Sequence, residues 1–180
     1  MKRDDLGKKI YEVSHLTGEF QLRSGKTSTE YFDKYLFESN PGLLYVITEH
    51  MRDLLTDDIM DFNILAGLEM GGIPLATMLS QRTGKPAVFV RKKAKEYGTK
   101  KLAEGVNVKG RKVLIVEDVV TSGGAVIKSI EELEKYGAHI TGVICVIDRE
   151  AGGAENLLNL KVPLKSLFTM TELKKLSAAG

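Results

Sequence analysis

Five short runs rich in apolar residues set the strongest limit on how this chain folds. They are residues 62–66, 87–91, 113–116, 140–147 and 162–168. Helical patterns separate them. Asn40-Pro41 opens one helix, with Pro at its first position, and Leu43, Leu44, Ile47, Met51, Leu54 and Leu55 then share one face. Residues 73–82 predict a second helix, with Gly84 just past its end and Pro86 beyond. Residues 124–136 predict a third, closed by Gly137, and Thr169-Met170-Thr171-Glu172 has the capping-box spacing that starts a last one. Strands without polar alternation are buried on both faces, and strand–helix alternation builds parallel sheets covered on both sides. The expected fold is α/β: a central, mostly parallel twisted sheet flanked by helices. Ligands of such sheets lie beyond the carboxyl ends of the strands, so the residues just after each strand are where chemistry is expected.

Two segments stand outside this alternation. Residues 4–16 carry helical spacing at Leu6, Ile10, Val13 and Leu16, and residues 20–28, with Ser24-Gly25 at their centre, predict a hairpin that leads to Tyr31-Phe32. Residues 92–110 are polar and punctuated by glycine and read mostly as a loop; a connector of that length is functional more often than not.

The charge distribution narrows the ligand class. The 180 residues carry a net charge of only +2, yet residues 91–101 hold six basic residues against Glu96 alone. A local patch of this kind suits a small anion; a general nucleic-acid or membrane binder would carry a broader one. The single cysteine, Cys145, excludes an internal disulfide and lies within an apolar strand as a structural thiol. His15, His50 and His139 match no metal-ligand spacing. The amino terminus lacks the apolar run of a secretory signal, and no stretch approaches the roughly 20 apolar residues of a membrane span, so a cytoplasmic protein is expected.

The most informative string follows the third apolar run. Glu117-Asp118 stand at its end, Val119-Val120-Thr121-Ser122-Gly123-Gly124 form a short turn, and Ala125 opens a helix. Glycines let the backbone approach an anion, the first N–H groups of the helix point at it, and Thr121 and Ser122 add hydroxyl donors. This is a phosphate cradle. It lacks the Gly-Lys-Ser/Thr of a Walker loop, and a dinucleotide glycine pattern would not put two acids at the strand end. Carboxylates there suit ribose hydroxyls. The bland reading is a solvent-side turn with two strand-end acids.

The whole string resembles the PRPP-binding signature of type I phosphoribosyltransferases. Three more segments resemble one branch of that superfamily. Phe20-Gln21-Leu22-Arg23-Ser24-Gly25 followed by Tyr31-Phe32, Arg91-Lys92-Lys93-Ala94-Lys95-Glu96-Tyr97-Gly98-Thr99, and Asp148-Arg149-Glu150-Ala151-Gly152-Gly153 are similar in order and spacing to orotate phosphoribosyltransferases. That resemblance implies a small amino-terminal hood over residues 1–38 that forms part of the base site. It implies a phosphoribosyltransferase core over residues 39–180 with a mobile loop at about 92–106. It also implies Mg²⁺ held mainly through PRPP and a homodimer in which the loop crosses the interface.

The resemblance assigns roles residue by residue. Lys92, Lys95 and Asp118 are expected to be catalytic. Arg91, Lys92, Lys95 and Tyr97, together with Glu117 through Ala125, are expected to bind PRPP. Thr121, Arg149, Arg23, Tyr31 and Phe32 are expected to bind orotate. The residue chemistry agrees for Arg149, whose planar fork fits carboxylate or carbonyl oxygens. Its bland alternative is an ion pair with Asp148 or Glu150, and that of Tyr31 and Phe32 is core packing. Two positions depart from the family pattern. Gly71 stands where many bacterial members carry Lys, and Tyr97 where many carry His. The alternatives are a transferase for another base and a non-catalytic PRPP-sensing regulator.

Overall fold

A computed structural model describes residues 1–21, 25, 27–56, 61–92 and 102–178. Helix α1 (Arg3–Ser14) leads into an antiparallel hairpin of β1 (His15–Gln21) and β2 (Thr27–Phe32). The short α2 (Tyr35–Glu38) and α3 (Pro41–Asp53) follow, then β3 (Ile64–Leu68), α4 (Gly72–Thr83), β4 (Ala87–Val90) and β5 (Ala103–Gly105). Next come β6 (Lys112–Val120), α5 (Gly124–Lys135), β7 (His139–Asp148), α6 (Gly153–Asn159), β8 (Leu164–Thr169) and α7 (Met170–Ala178). The main sheet runs in the order β5-β4-β3-β6-β7-β8 and is parallel except for β5. The mostly parallel α/β expectation is therefore met.

Alternation along the central strands divides the core into two layers. Leu65, Leu114, Val116, Ile144 and Val146 face α1, α3, α4 and α7, where Leu6, Ile10, Ile47, Leu75 and Leu173 are buried. Ile64, Ala66, Val113, Ile115, Val143 and Cys145 face the other way, toward Val126, Ile130 and Leu133 of α5 and Leu157 of α6. The central strands are buried on both sides, which is why they read as unbroken apolar runs.

The helix signals hold at atomic level. Asn40 caps α3 by accepting from Leu43 N at 3.0 Å. At α7 the capping box is reciprocal: Glu172 N donates to Thr169 Oγ1 at 3.1 Å, and Thr169 N donates to Glu172 Oε2 at 3.0 Å. Gly84 ends α4 in the left-handed region at φ 67°.

Four expectations need correction. Helix α1 stops at Ser14, so Leu16 belongs to a strand, and the hairpin begins at residue 15, earlier than its Ser-Gly centre suggests. The run read as 62–66 becomes a strand at Ile64–Leu68, paired to both β4 and β6. Within the supposed loop, Ala103–Gly105 adds an antiparallel edge to β4; Ala-Glu-Gly has no apolar alternation, and only main-chain pairing reveals it. Strand β6 does not end at the acids, because pairing with β7 continues to Val119↔Ile147 and Val120↔Asp148.

The Asn40 cap gives the fold a direct test. Asn40→Ala is expected to lower stability in urea unfolding by about 1 kcal/mol, and Asn40→Ser to retain most of it. Equal stability of the two variants would remove the cap from the account of α3.

Candidate active site

Because β6 continues through the acids, Glu117 and Asp118 point to opposite faces of the sheet. Glu117 lies on the α5 side and lines two cavities. The smaller, about 130 Å³, is bounded by Glu117 and by Val119 through Val126. The larger, about 410 Å³, joins Glu117 to Glu69, Arg91, Lys92, Ala125 and Lys128. Asp118 lines neither and is fully buried.

The smaller cavity is the turn recognised in the sequence. Gly123 takes φ 78°, which turns the chain into α5, and the first turn of that helix carries no acid. Two braces hold the turn from behind. Asn156 Nδ2 on α6 donates to Ser122 O at 2.9 Å. Gly153 packs so closely that a Cβ there would lie 2.6 Å from Thr121 O. The Asp148–Gly153 segment thus supports the phosphate turn with its glycine end while Arg149 leaves in another direction.

The larger cavity is basic at one edge. Arg91 and Lys92 close it at the end of β4, and the Lys92 amide donates to Glu69 Oε2 at 2.9 Å. Among the described residues, Arg91 Nε is buried and has no hydrogen-bond partner. Lys95 and Tyr97 lie outside the described residues, as does Arg23.

A third cleft, about 230 Å³, brings together three of the residues assigned to the base. Tyr31 and Phe32 of β2 line it together with Arg149, and Tyr11, His15, Ser28, Glu30, Met170 and Lys174 complete the lining. Tyr31 stacks on Phe20 with ring centroids 5.4 Å apart, and Tyr11 on His15 at 4.8 Å. Arg149 N donates to Val120 O at 2.8 Å, which places this cleft beside the phosphate turn. Thr121 belongs to the turn cavity and does not line the cleft. Sequence reasoning did not find Tyr11, His15 or Lys174; their separation in the chain left no local signal.

Asp118 has its own surroundings, which the sequence did not reveal. Lys34 Nζ lies 2.5 Å from Asp118 Oδ2, and Val119 N donates to Asp118 Oδ1 at 2.5 Å. Glu38, also buried, sits beside it. Burial, then hydrogen bonding and repulsion from Asp118, push the Glu38 carboxyl up to about 9. Burial likewise raises Glu117, and the charge of Asp118 adds to it. Burial opposes ionisation of Asp118 too, yet hydrogen bonds from Glu117 and Glu38 and the charge of Lys34 outweigh it and hold Asp118 below its ordinary value. Burial opposes the Lys34 ammonium as well, and Asp118 more than compensates. Gly71 completes the cluster. A Cβ at that position would collide with Asp118 Oδ2 and lie 2.6 Å from Glu38 Oε1, so the glycine found in place of lysine is required by this packing.

Residues 37–163 match the family described as the phosphoribosyl transferase domain. The orotate phosphoribosyltransferase of a Nocardioides species is 49% identical over 171 residues, covering 95% of this chain and 94% of its own length. The crystal structure of orotate phosphoribosyltransferase from Aeropyrum pernix superposes with a TM-score of 0.83 at 33% identity, covering 97% of this chain and 99% of that one. The Mycobacterium tuberculosis enzyme crystallised with PRPP gives a TM-score of 0.80 at 28% identity, over 96% and 98%. With the fold, the phosphate turn and the order of segments in agreement, the chain belongs to the orotate phosphoribosyltransferase family.

Proposed function

We propose that this chain transfers the 5-phosphoribosyl group of PRPP to orotate, giving orotidine 5′-monophosphate and pyrophosphate in de novo pyrimidine biosynthesis (EC 2.4.2.10). The observation that carries the reading is spatial. A phosphate turn, a basic cavity and an aromatic cleft containing Arg149 adjoin one another around the ends of β4, β6 and β7.

The roles follow from the three cavities. The turn from Val119 to Ala125 holds the 5′-phosphate with backbone N–H groups and the hydroxyls of Thr121 and Ser122. Glu117 meets the ribose hydroxyls, and the positive charge that develops on the ribosyl ring favours its ionised form. Asp118 acts from behind, as a buried negative charge beneath the reacting sugar. Arg91 and Lys92, with Lys95 and Tyr97, neutralise pyrophosphate as the C1′–O bond loosens. Orotate lies between the ring wall of Tyr31 and Phe32 and the Arg149 guanidinium, with Thr121 and Arg23 as further contacts, and its ring nitrogen attacks C1′ from the face opposite pyrophosphate. No covalent enzyme intermediate is required. Positioning and charge supply the catalysis.

Mg²⁺ fits as an ion brought by PRPP. The cavities are lined by the carboxylates of Glu117, Glu69 and Glu132, and the described residues form no cluster of three metal ligands, so most of the ion's ligands would be substrate oxygens. The ion would supply charge neutralisation of the pyrophosphate. We read residues 1–38 as the hood of the base site and the chain as a cytoplasmic homodimer in which Lys92 and Lys95 serve the neighbouring site. No described helix is long and apolar enough to cross a membrane.

Turnover with PRPP and Mg²⁺ against orotate, uracil, hypoxanthine and xanthine tests the reaction. Orotate alone should be consumed, and Arg149→Ala should lower kcat/KM for orotate about a hundredfold. Turnover of a purine alone would overturn the assignment. Mixing a Lys92→Ala chain with an Arg149→Ala chain tests the shared site. Partial activity should return in the heterodimer, and none after demonstrated subunit exchange means that the sites are independent.

The Asp118 cluster makes stability depend on pH in a defined sense. Glu38 keeps its proton in the folded chain up to about 9, whereas the unfolded chain loses it near the ordinary 4.5. The folded state therefore binds the extra proton between these values, and stability falls as pH rises through that window. Glu38→Gln removes the linkage and leaves an amide able to donate to Asp118. Its Tm relative to the parent should be more favourable at about pH 8 than at about pH 5. An offset equal at both pH values would show that Glu38 is not protonated in the fold.

A further inference from the structure

Arg149 is not the only cation of the base cleft. Lys174, on the exposed side of α7, lines it as well. Neither residue appears in any salt bridge among the described residues. The acids that could have neutralised Arg149 are directed elsewhere. Asp148 Oδ1 accepts from Glu150 N at 2.8 Å, and Glu150 Oε2 accepts from Thr171 N at 2.9 Å. Glu150 does this from the left-handed region, at φ 56°, an uncommon conformation for a residue with a side chain. Its carboxylate thus lies on the first turn of α7, where the helix favours negative charge. The bond from Thr171 holds it below its ordinary pKa.

This contact fixes the two cations relative to each other. Arg149 directly precedes Glu150. Lys174 is three residues beyond Thr171 and so on the same side of α7. The reciprocal cap of Thr169 and Glu172 and the 2.9 Å ion pair of Arg3 with Glu172 hold that helix turn in place. Elsewhere in the cleft, the carboxylate of Glu30 stands 3.5 Å from His15 Nε2. The cleft is thus lined by Tyr11, Tyr31 and Phe32 and holds two cations, Arg149 and Lys174, that form no ion pair among the described residues, against the single acid Glu30. That chemistry suits a planar ring bearing an anionic substituent.

We propose that Lys174 is a specificity-determining residue of this cleft: its ammonium meets the carboxylate of the pyrimidine, while Arg149 meets the ring oxygens. The assignment rests on the reading of the cleft as the orotate site. It accounts for selection of a carboxylated pyrimidine over one without the carboxylate, which stacking alone cannot provide.

The test uses the full-length chain and two products that share ribose and phosphate but differ in the carboxylate. Lys174→Met should weaken binding of orotidine 5′-monophosphate about tenfold and raise KM for orotate by a similar factor. It should leave binding of uridine 5′-monophosphate and KM for PRPP within about twofold, and Lys174→Arg should restore most of the loss. Lys174 is exposed, so the variant is expected to fold. An unchanged affinity for orotidine 5′-monophosphate, or an equal loss for both nucleotides, would falsify the assignment. A parent protein that turns over no orotate overturns the functional reading and this inference together. A parent that turns it over beside an unaffected Lys174→Met variant overturns this inference alone.

Discussion

Three parts of the site meet at one buried carboxylate. Asp118 comes from the central strand β6, Lys34 from the connection between the hairpin and α2, and Gly71 from the turn between β3 and α4. Burying an unpaired carboxylate costs several kcal/mol, so each element is constrained by the need to keep this one satisfied. Lys34 cannot leave without stranding the charge. Position 71 cannot carry a side chain without displacing it. The Glu38 carboxyl can remain only as the protonated acid, because a second negative charge beside Asp118 would have one lysine to share. The hairpin, which carries Tyr31 and Phe32, is thus tied through Lys34 to the strand that carries the phosphate turn.

The same strand sends two adjacent acids to different surroundings. A strand places consecutive side chains on opposite faces, so the Glu-Asp pair of β6 divides between the cavity side and the interior. Glu117 opens to the cavities, and Asp118 closes the interior. Reading the pair as a strand terminus hides this division, because a turn would have let both acids face the sugar. The difference between the two readings is the few residues by which β6 outlasts its apolar run, and the pairing of Val119 and Val120 with β7 decides it.

Much of the fold was legible because it rests on local or periodic signals. Strand cores, the Asn40 cap, the Thr169–Glu172 box and Gly84 each express physics contained within a few residues. The phosphate turn was legible for the same reason: the cradle is built from consecutive residues. Resemblance assigned Arg149, Tyr31 and Phe32 to the base, and the fold brings the three to one cleft. What stayed hidden depends on partners distant in sequence. Nothing around Lys34 announces a bond to residue 118, Ala-Glu-Gly at 103–105 becomes a strand only beside β4, and Lys174 lines a cleft begun by Tyr11.

That last separation has a physical consequence for how the site is organised. The phosphate turn and basic cavity stand on the sheet and the helices packed against it, whose strands are buried on both faces. The third cleft joins Arg149, at the end of β7, to residues of α1, the hairpin and α7, which bring the two ends of the chain together. Arg3 makes that junction: it donates to Leu167 O at 2.7 Å, pairs with Glu172 and stands 4.5 Å over the Phe168 ring. A transferase needs the pentose phosphate held in one geometry whatever the base, and the rigid sheet supplies it. Lys174 reaches the cleft from α7, outside the sheet, whereas Arg149 reaches it from the end of β7. On the proposed assignment, recognition of the base therefore joins one residue at the end of a doubly covered strand, Arg149, to the hairpin and to the helices α1 and α7 that cover one face of the sheet.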